Sequence, residues 1–226
     1  MKDGPNIVGI ASLIGDRARA DILTALMGGQ ALTATELAQV ADVTKQTMSA
    51  HLGKLVDGRL VAVESQGRHR YFRLADDDVA ELLENIMGVA YRAGAVRLKS
   101  SPREPALRKA RVCYDHLAGD LGVHLYERFE KRRFLRHFEG ALWLTTAGEH
   151  FCTDLGVDLD AHHAPRRPAC RVCLDWSVRR HHLAGSVGAA LLERFYALRW
   201  AQRVAGTRVV RFSESGERAF RERLDN

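Results

Sequence analysis

The second half of this chain is written twice, and that duplication limits what it can fold into more than any other feature. Arg111-Val112-Cys113-x-Asp115 returns as Arg171-Val172-Cys173-x-Asp175, offset by 60 residues, and 116–129 returns as 182–195, offset by 66 with nine of fourteen positions identical. The later copy carries six extra residues, 176–181. Leu144-Thr145-x-x-Gly148-Glu149 and Phe212-Ser213-x-x-Gly216-Glu217 close the copies, each with an apolar residue, a hydroxyl suited to an N-cap, and a helix start. Gly119 with Gly122, and Gly185 with Gly188, fall inside apparent helices, where each glycine costs about 1 kcal/mol relative to alanine. A cost repeated at matching positions predicts close approach of another backbone or a ligand. Pairing of the copies about a pseudo-twofold axis would bring Cys113, Asp115 and His116 near Cys173, Asp175 and His182.

Two proline-bearing polar clusters, Ser100-Ser101-Pro102-Arg103-Glu104-Pro105 and His162-His163-Ala164-Pro165-Arg166-Arg167-Pro168, are expected to interrupt regular structure. They cut the chain into segments 1–99, 106–160 and 169–226. With 46% hydrophobic and 27% charged residues over 226 positions, the composition is globular and large enough for more than one core. No run approaches the roughly 18 uncharged apolar residues of a membrane span. Met1-Lys2-Asp3-Gly4-Pro5 opens without a signal peptide's apolar stretch, so a cytoplasmic protein without a membrane partner is expected. Four unevenly spaced cysteines do not make a secreted disulfide framework and are read as reduced thiols. The formal charge of +6 suits a polyanion, but residues 1–99 hold 12 basic and 12 acidic side chains. Attraction of that segment for DNA must come from local placement.

In that segment Asp16 is placed to cap a helix carrying Ala20, Ile22, Leu23 and Leu26, ended by Gly28-Gly29. Thr33-x-x-Glu36 is a capping-box pattern, Ala41-Asp42-Val43 a tight turn, and Thr44 a cap for a longer helix running through Leu55. Met48, Leu52, Leu55 and Val56 repeat at three- and four-residue steps and face inward. That leaves Lys45, Gln46, Thr47, Ser49 and His51 on or near the outer, N-terminal face, where hydrogen-bonding side chains read base edges. Strands at 60–64 and 69–74 flank Ser65-Gln66-Gly67-Arg68, giving a basic hairpin tip of Arg68, His69 and Arg70 suited to phosphate. A last helix, 78–98, is apolar on two faces, and with 7–13 it is expected to pack on another chain.

Residues 16–74 resemble the winged helix-turn-helix of the ArsR family of bacterial repressors. The resemblance rests on Asp16-Arg17-Ala18-Arg19-Ala20-Asp21-Ile22-Leu23, Glu36-Leu37-Ala38, Met48-Ser49-x-His51-Leu52-x-x-Leu55 and Gly67-Arg68-His69-Arg70-Tyr71-Phe72-Arg73-Leu74. It implies a homodimer on double-stranded DNA with two symmetric half-sites, released when a ligand or metal binds. Carried over by position, Lys45, Gln46, Thr47, Ser49 and His51 face DNA, and Arg68 and Arg70 are wing contacts. The chain departs from the family's metal sensors, since Glu36-Leu37-Ala38-Gln39-Val40-Ala41-Asp42 has no cysteine and 79–98 holds neither Asp nor His. Metal sensing at the usual positions is not expected.

Leu37-Ala38-x-x-Ala41-x-Val43 lines up, offset by 80, with Leu117-Ala118-x-x-Leu121-Gly122-Val123, so both tail copies read as degenerate winged helices. The fold class expected is mainly α with small β-hairpins (α+β), an N-terminal winged helix-turn-helix followed by two winged-helix-like repeats. The stretch 189–196 is too apolar for a groove, and Glu127 and Glu130 spoil the basic run of the other copy, so the copies read as packing or sensing units. Three readings stay open for Cys113, His116, Cys173 and His182. They are core residues, or a site for an unidentified small-molecule or thiol-reactive effector, or part of a structural zinc site, for which spacing nominates Cys170-x-x-Cys173 with Cys113-x-x-His116. No cofactor is specified. G-x-S-x-G, H-E-x-x-H, G-x-x-x-x-G-K and a strand-borne G-x-G-x-x-G are all missing, so no enzyme is expected. A DNA-binding repressor released by an effector in the tail fits these features. The alternatives are a thiol-dependent enzyme using Cys113 or Cys173 and a protein-interaction module.

Overall fold

The computed structural model describes residues 4–67, 69–95, 104–160 and 167–226. Two compact units divide the chain, Met1–Leu83 and Glu84–Asn226.

The first unit runs α1 (Ile7–Ile14), α2 (Arg17–Leu26), β1 (Leu32–Thr33), α3 (Ala34–Ala41), α4 (Lys45–Asp57), β2 (Val61–Gln66) and β3 (His69–Leu74), then enters α5 (Asp77–Arg92). Its helices start where capping chemistry placed them. Asp16 accepts from Arg19 N at 3.0 Å, Thr33 and Glu36 form the reciprocal capping box, and Thr44 accepts from Thr47 N at 3.2 Å. Arg19 is buried because its guanidinium donates to the carbonyls of Leu13 and Ser12, both at 2.7 Å, satisfying the end of α1. Ile22, Leu23, Leu37, Met48, Leu55 and Phe72 make the core. The strands form one antiparallel sheet ordered β1-β3-β2, and Gln66 pairing with His69 leaves a two-residue turn that Gly67 enters at φ 59. The helix expected over 78–98 ends at Arg92, and positions 96–98 lie outside the described residues.

After the rest of α5 and α6 (Glu104–Lys109), the second unit contains the two copies. The first is β4 (Arg111–Cys113), β5 (His116–Ala118), α7 (Asp120–Lys131), β6 (Leu135–Phe138), β7 (Ala141–Leu144) and α8 (Thr146–Leu155). The second is β8 (Arg171–Leu174), β9 (His181–Ala184), α9 (Ser186–Ala197), β10 (Ala201–Arg203), β11 (Val210–Phe212) and α10 (Glu214–Asp225). Thr145 and Ser213 cap α8 and α10 at matching positions. The copies exchange contacts reciprocally: α7 packs on β9 and α9 on β5, while Arg111 bridges to Val209 and Leu142 to Cys170. One core serves both, from Phe129 and Phe151 of the first copy to Phe195 and Phe220 of the second. Of the two proline clusters, Pro105 stands in the first turn of α6, where its missing N–H costs no hydrogen bond, while 100–103 and 161–166 lie outside the described residues.

The mixed architecture of helices and small hairpins is the one expected, but the repeats are not winged helices. Each is hairpin, helix, hairpin, helix. Leu37-Ala38 is helical where Leu117-Ala118 is strand, so the match at offset 80 does not carry over to structure. The glycines also need a correction. Gly119 and Gly185 are not inside helices but cap them at φ 83 and 89. Gly122 and Gly188 are helical, and the expected close approach is there: a Cβ would stand 2.4 Å from Leu117 O at Gly122 and 2.5 Å from Leu183 O at Gly188.

Candidate functional site

The first surface of interest is the start of α4. The left-handed Asp42, φ 53, turns the chain out of α3, and Thr44 caps the next helix so that its first turn points outward. Lys45, Gln46, Thr47 and Ser49 are exposed, while Met48, Leu52 and Leu55 are buried beneath them. Thr47 Oγ1 lies 2.9 Å from Thr44 Oγ1 and Ser49 Oγ donates to Lys45 O at 3.1 Å, which fixes both hydroxyls without hiding them. His51 is not on this face. It falls three residues after Met48 and four before Leu55, on the inward stripe, and its Nδ1 lies 3.7 Å from Asp16 Oδ1. On the wing, Arg70 is exposed with its guanidinium 5.5 Å from the Phe72 ring centre, and Arg68 lies outside the described residues.

The second surface is internal to the tail. Cys113 and His116 are directly opposed across the β4–β5 hairpin, as are Cys173 and His182 across β8–β9. Opposed residues project to one face of a hairpin. Reciprocal packing of the copies turns the two faces together, so that the Sγ atoms of Cys113 and Cys173 lie 4.0 Å apart and the Nε2 atoms of His116 and His182 lie 3.2 Å apart. All four donor atoms fall within 4.8 Å of one another, and only Cys173 retains partial exposure. The juxtaposition expected from the duplication is therefore present. Cys170 is not part of it. Along a strand, positions three apart point to opposite faces, and Cys170 sits in the core, its thiol pushed up to about 12 by burial and by Cys152.

A carboxylate stands behind each imidazole. Asp115 Oδ1 is 3.2 Å from His116 Nδ1, and the other oxygen of Asp115 accepts from Arg167. Asp175 Oδ2 is 3.6 Å from His182 Nδ1 and pairs at 2.9 Å with Arg111, both side chains fully buried. Arg111 in turn lies 4.6 Å from the Trp176 ring centre, which gives the inserted loop its packing role. Burial would lower His116, but the Cys113 sulfur and the Asp115 carboxylate outweigh it and raise the imidazole. Burial and the neighbouring His116 push His182 well below its ordinary value. The two Nε2 atoms are within hydrogen-bond distance, and the tautomers decide which ring donates. Cys113 is pushed up by its hydrogen bond with Cys173 and by burial. Sequence reasoning did not find the roles of Arg111 and Arg167, because nothing in a local pattern says which aspartate a distant arginine will meet.

A short helix, a tight turn, a capped helix with an exposed polar first turn and a two-stranded wing define the winged helix-turn-helix class of DNA-binding proteins. The description of one family model, a helix-turn-helix domain, matches residues 14–64. The chain is 41% identical over 221 residues, 98% of both chains, to the uncharacterized HTH-type transcriptional regulator YdfF of Bacillus subtilis (strain 168), and it belongs to that family of DNA-binding transcriptional regulators. Among solved structures it is similar to the homodimeric winged helix-turn-helix domain Mb0332 of Mycobacterium bovis, 23% identical over 45% of this chain and 96% of that one with a TM-score of 0.36. It is similar also to the cadmium sensor CmtR of Mycobacterium tuberculosis, 28% identical over 35% of this chain and 82% of that one with a TM-score of 0.32. No helix among the described residues is long and apolar enough to cross a membrane.

Proposed function

We propose that this regulator is a homodimeric repressor whose α4 helices enter successive major grooves, and which is released by an effector acting where the two tail copies meet. The observation that carries the reading is the exposed first turn of α4, Lys45, Gln46, Thr47 and Ser49, standing on a fully buried apolar stripe. Uncovered apolar side chains support a second copy: Ile7 and Val8 of α1 are 79% and 76% exposed, and Val89 of α5 is 55% exposed. Cys113, His116, Cys173 and His182 are the residues the effector would meet. A fully buried thiol held above its ordinary value is a poor nucleophile, which weighs against Cys113 as the nucleophile of the thiol-enzyme alternative.

The test is titration of the full chain onto the DNA upstream of its own gene across a salt series. Log affinity should fall linearly with log salt, with a slope of about −0.9 for each phosphate neutralised. A protein that binds this DNA no better than unrelated duplex, or with no salt dependence, overturns the repressor reading.

A further inference from the structure

The geometry points to one divalent metal ion of the zinc class bound per chain by Cys113 Sγ, His116 Nε2, Cys173 Sγ and His182 Nε2, in a closed tetrahedral site that clamps the two tail copies. For bonds of about 2.3 Å to sulfur and 2.0–2.1 Å to nitrogen, the edges of a tetrahedron are about 3.8 Å between sulfurs and 3.3 Å between nitrogens. The observed separations are 4.0 and 3.2 Å. With all four atoms inside 4.8 Å there is room for an ion and none for an organic effector.

Three further features agree. Metal-bound histidines turn their second nitrogen to a carboxylate; here His116 Nδ1 is hydrogen-bonded to Asp115, and His182 Nδ1 faces Asp175 at 3.6 Å with no hydrogen-bond partner of its own among the described residues. Those carboxylates are themselves anchored by Arg167 and Arg111. The rings are given room by the opposite copy's helical glycine: a Cβ at Gly188 would stand 3.2 Å from His116 Cβ, and one at Gly122 would stand 3.5 Å from His182 Cβ. Charge also balances, because two thiolates neutralise a dication, their protons leaving to solvent as the metal binds. Two sulfurs and two imidazoles select against magnesium and calcium, which want oxygen. Four protein ligands leave no open position, so the ion is structural or regulatory and not catalytic.

The placement of this ion rests on the tail geometry alone; its regulatory meaning rests on the repressor reading, and the experiment separates the two. The reduced full chain, stripped with a chelator, is titrated with Co(II) alone and then with Zn(II). One Co(II) per chain is expected, with the strong visible bands of tetrahedral cobalt and sulfur-to-cobalt charge transfer, both erased by Zn(II). X-ray absorption of the zinc-loaded wild-type chain should show two sulfur and two nitrogen neighbours. Cys173→Ser and His182→Gln should each weaken Zn(II) binding by more than the roughly 100-fold that outer partners are worth, whereas Cys170→Ala should leave the cobalt spectrum unchanged. No uptake, six-coordinate cobalt, or loss of the spectrum in Cys170→Ala instead of Cys173→Ser overturns the site. A Cys113–Cys173 disulfide with no metal uptake after reduction overturns it as well. DNA binding is measured on the same metal-free and zinc-loaded samples. A chain that takes up zinc but ignores DNA upholds the metal site and sinks the repressor, and one that binds DNA without taking up metal does the reverse.

Discussion

Replacing Arg111 with Met should destabilise the second unit by about 3 kcal/mol while leaving the first unit folded. Arg111 and Asp175 are both fully buried, and removing one member of such a pair strands the other at a cost of about 3–5 kcal/mol. The lower end applies here, because Asp175 would keep hydrogen bonds from Gly119 N at 2.7 Å, Ser177 N at 2.9 Å, Ser177 Oγ at 2.7 Å and Val178 N at 3.0 Å. The assay is urea unfolding followed by tryptophan fluorescence, since Trp143, Trp176 and Trp200 all belong to the second unit. With a slope of about 1–3 kcal/mol per molar urea, the midpoint should fall by about 1 M or more. The effect should shrink in acid, because protonating Asp175 removes the charge that Arg111→Met leaves stranded. Burial alone would raise the Asp175 carboxyl, but Arg111, His182 and the hydrogen bonds from Ser177 and Gly119 outweigh it and hold it well below the carboxylate range. A group depressed on folding stabilises above its unfolded value, about 3.9 for Asp, and loses that contribution as pH falls through the folded value. Wild type therefore keeps most of this contribution down to about pH 4 and loses it below, whereas Arg111→Met has little of it to lose and is relieved as Asp175 protonates, so the two curves converge in acid. The double variant Arg111→Met/Asp175→Asn should cost less than the two single changes together. A midpoint that barely moves, or strictly additive single changes, would refute the claim that this pair is coupled and buried.

Gln46→Ala should cost about 1–3 kcal/mol on the operator and relax base preference at one position of each half-site, read by binding to a panel of single-base variants. Ile86→Glu, at a 39% exposed apolar site on α5, should yield monomers in sedimentation and lose operator binding; persistent dimers would move the interface elsewhere. Gly188→Ala should destabilise the second unit by about 1–3 kcal/mol in the same fluorescence assay, because a Cβ 2.5 Å from Leu183 O outweighs alanine's helix preference. Gly53→Ala, with nothing within 4 Å, should instead raise stability by up to about 1 kcal/mol when helix unfolding is followed by circular dichroism.

What could be read beforehand was local chemistry. Asp16, Thr33, Glu36 and Thr44 announce helix starts because capping acts within three residues, and the structure puts each in that role. Duplication extended this reach to the meeting of Cys113 with Cys173 and of His116 with His182, since copies with the same apolar faces bury them together. Two errors share a cause. The C-x-x-C spacing that nominates Cys170 works on a tight knuckle and fails where the chain runs from Cys170 into the extended β8, and Leu117-Ala118, which lines up with a helical pair, is the second strand of a hairpin. In both, residue order was compared without knowing which backbone period applied. His51 is the milder case: the stripe containing Met48, Leu52 and Leu55 already had a place for it.

The reciprocal seating of the two tail copies has a consequence for concentration. Each hairpin carries half of a coordination sphere, one sulfur and one imidazole, and such a half is complete only against its own likeness. On separate chains the two halves would have to meet by diffusion, and occupancy would rise and fall with protein level. Fused in tandem, they meet at the millimolar local concentration that a short tether imposes. A single copy of the chain can thus complete its sphere in dilution, independently of the pairing of chains that reading two half-sites on DNA requires.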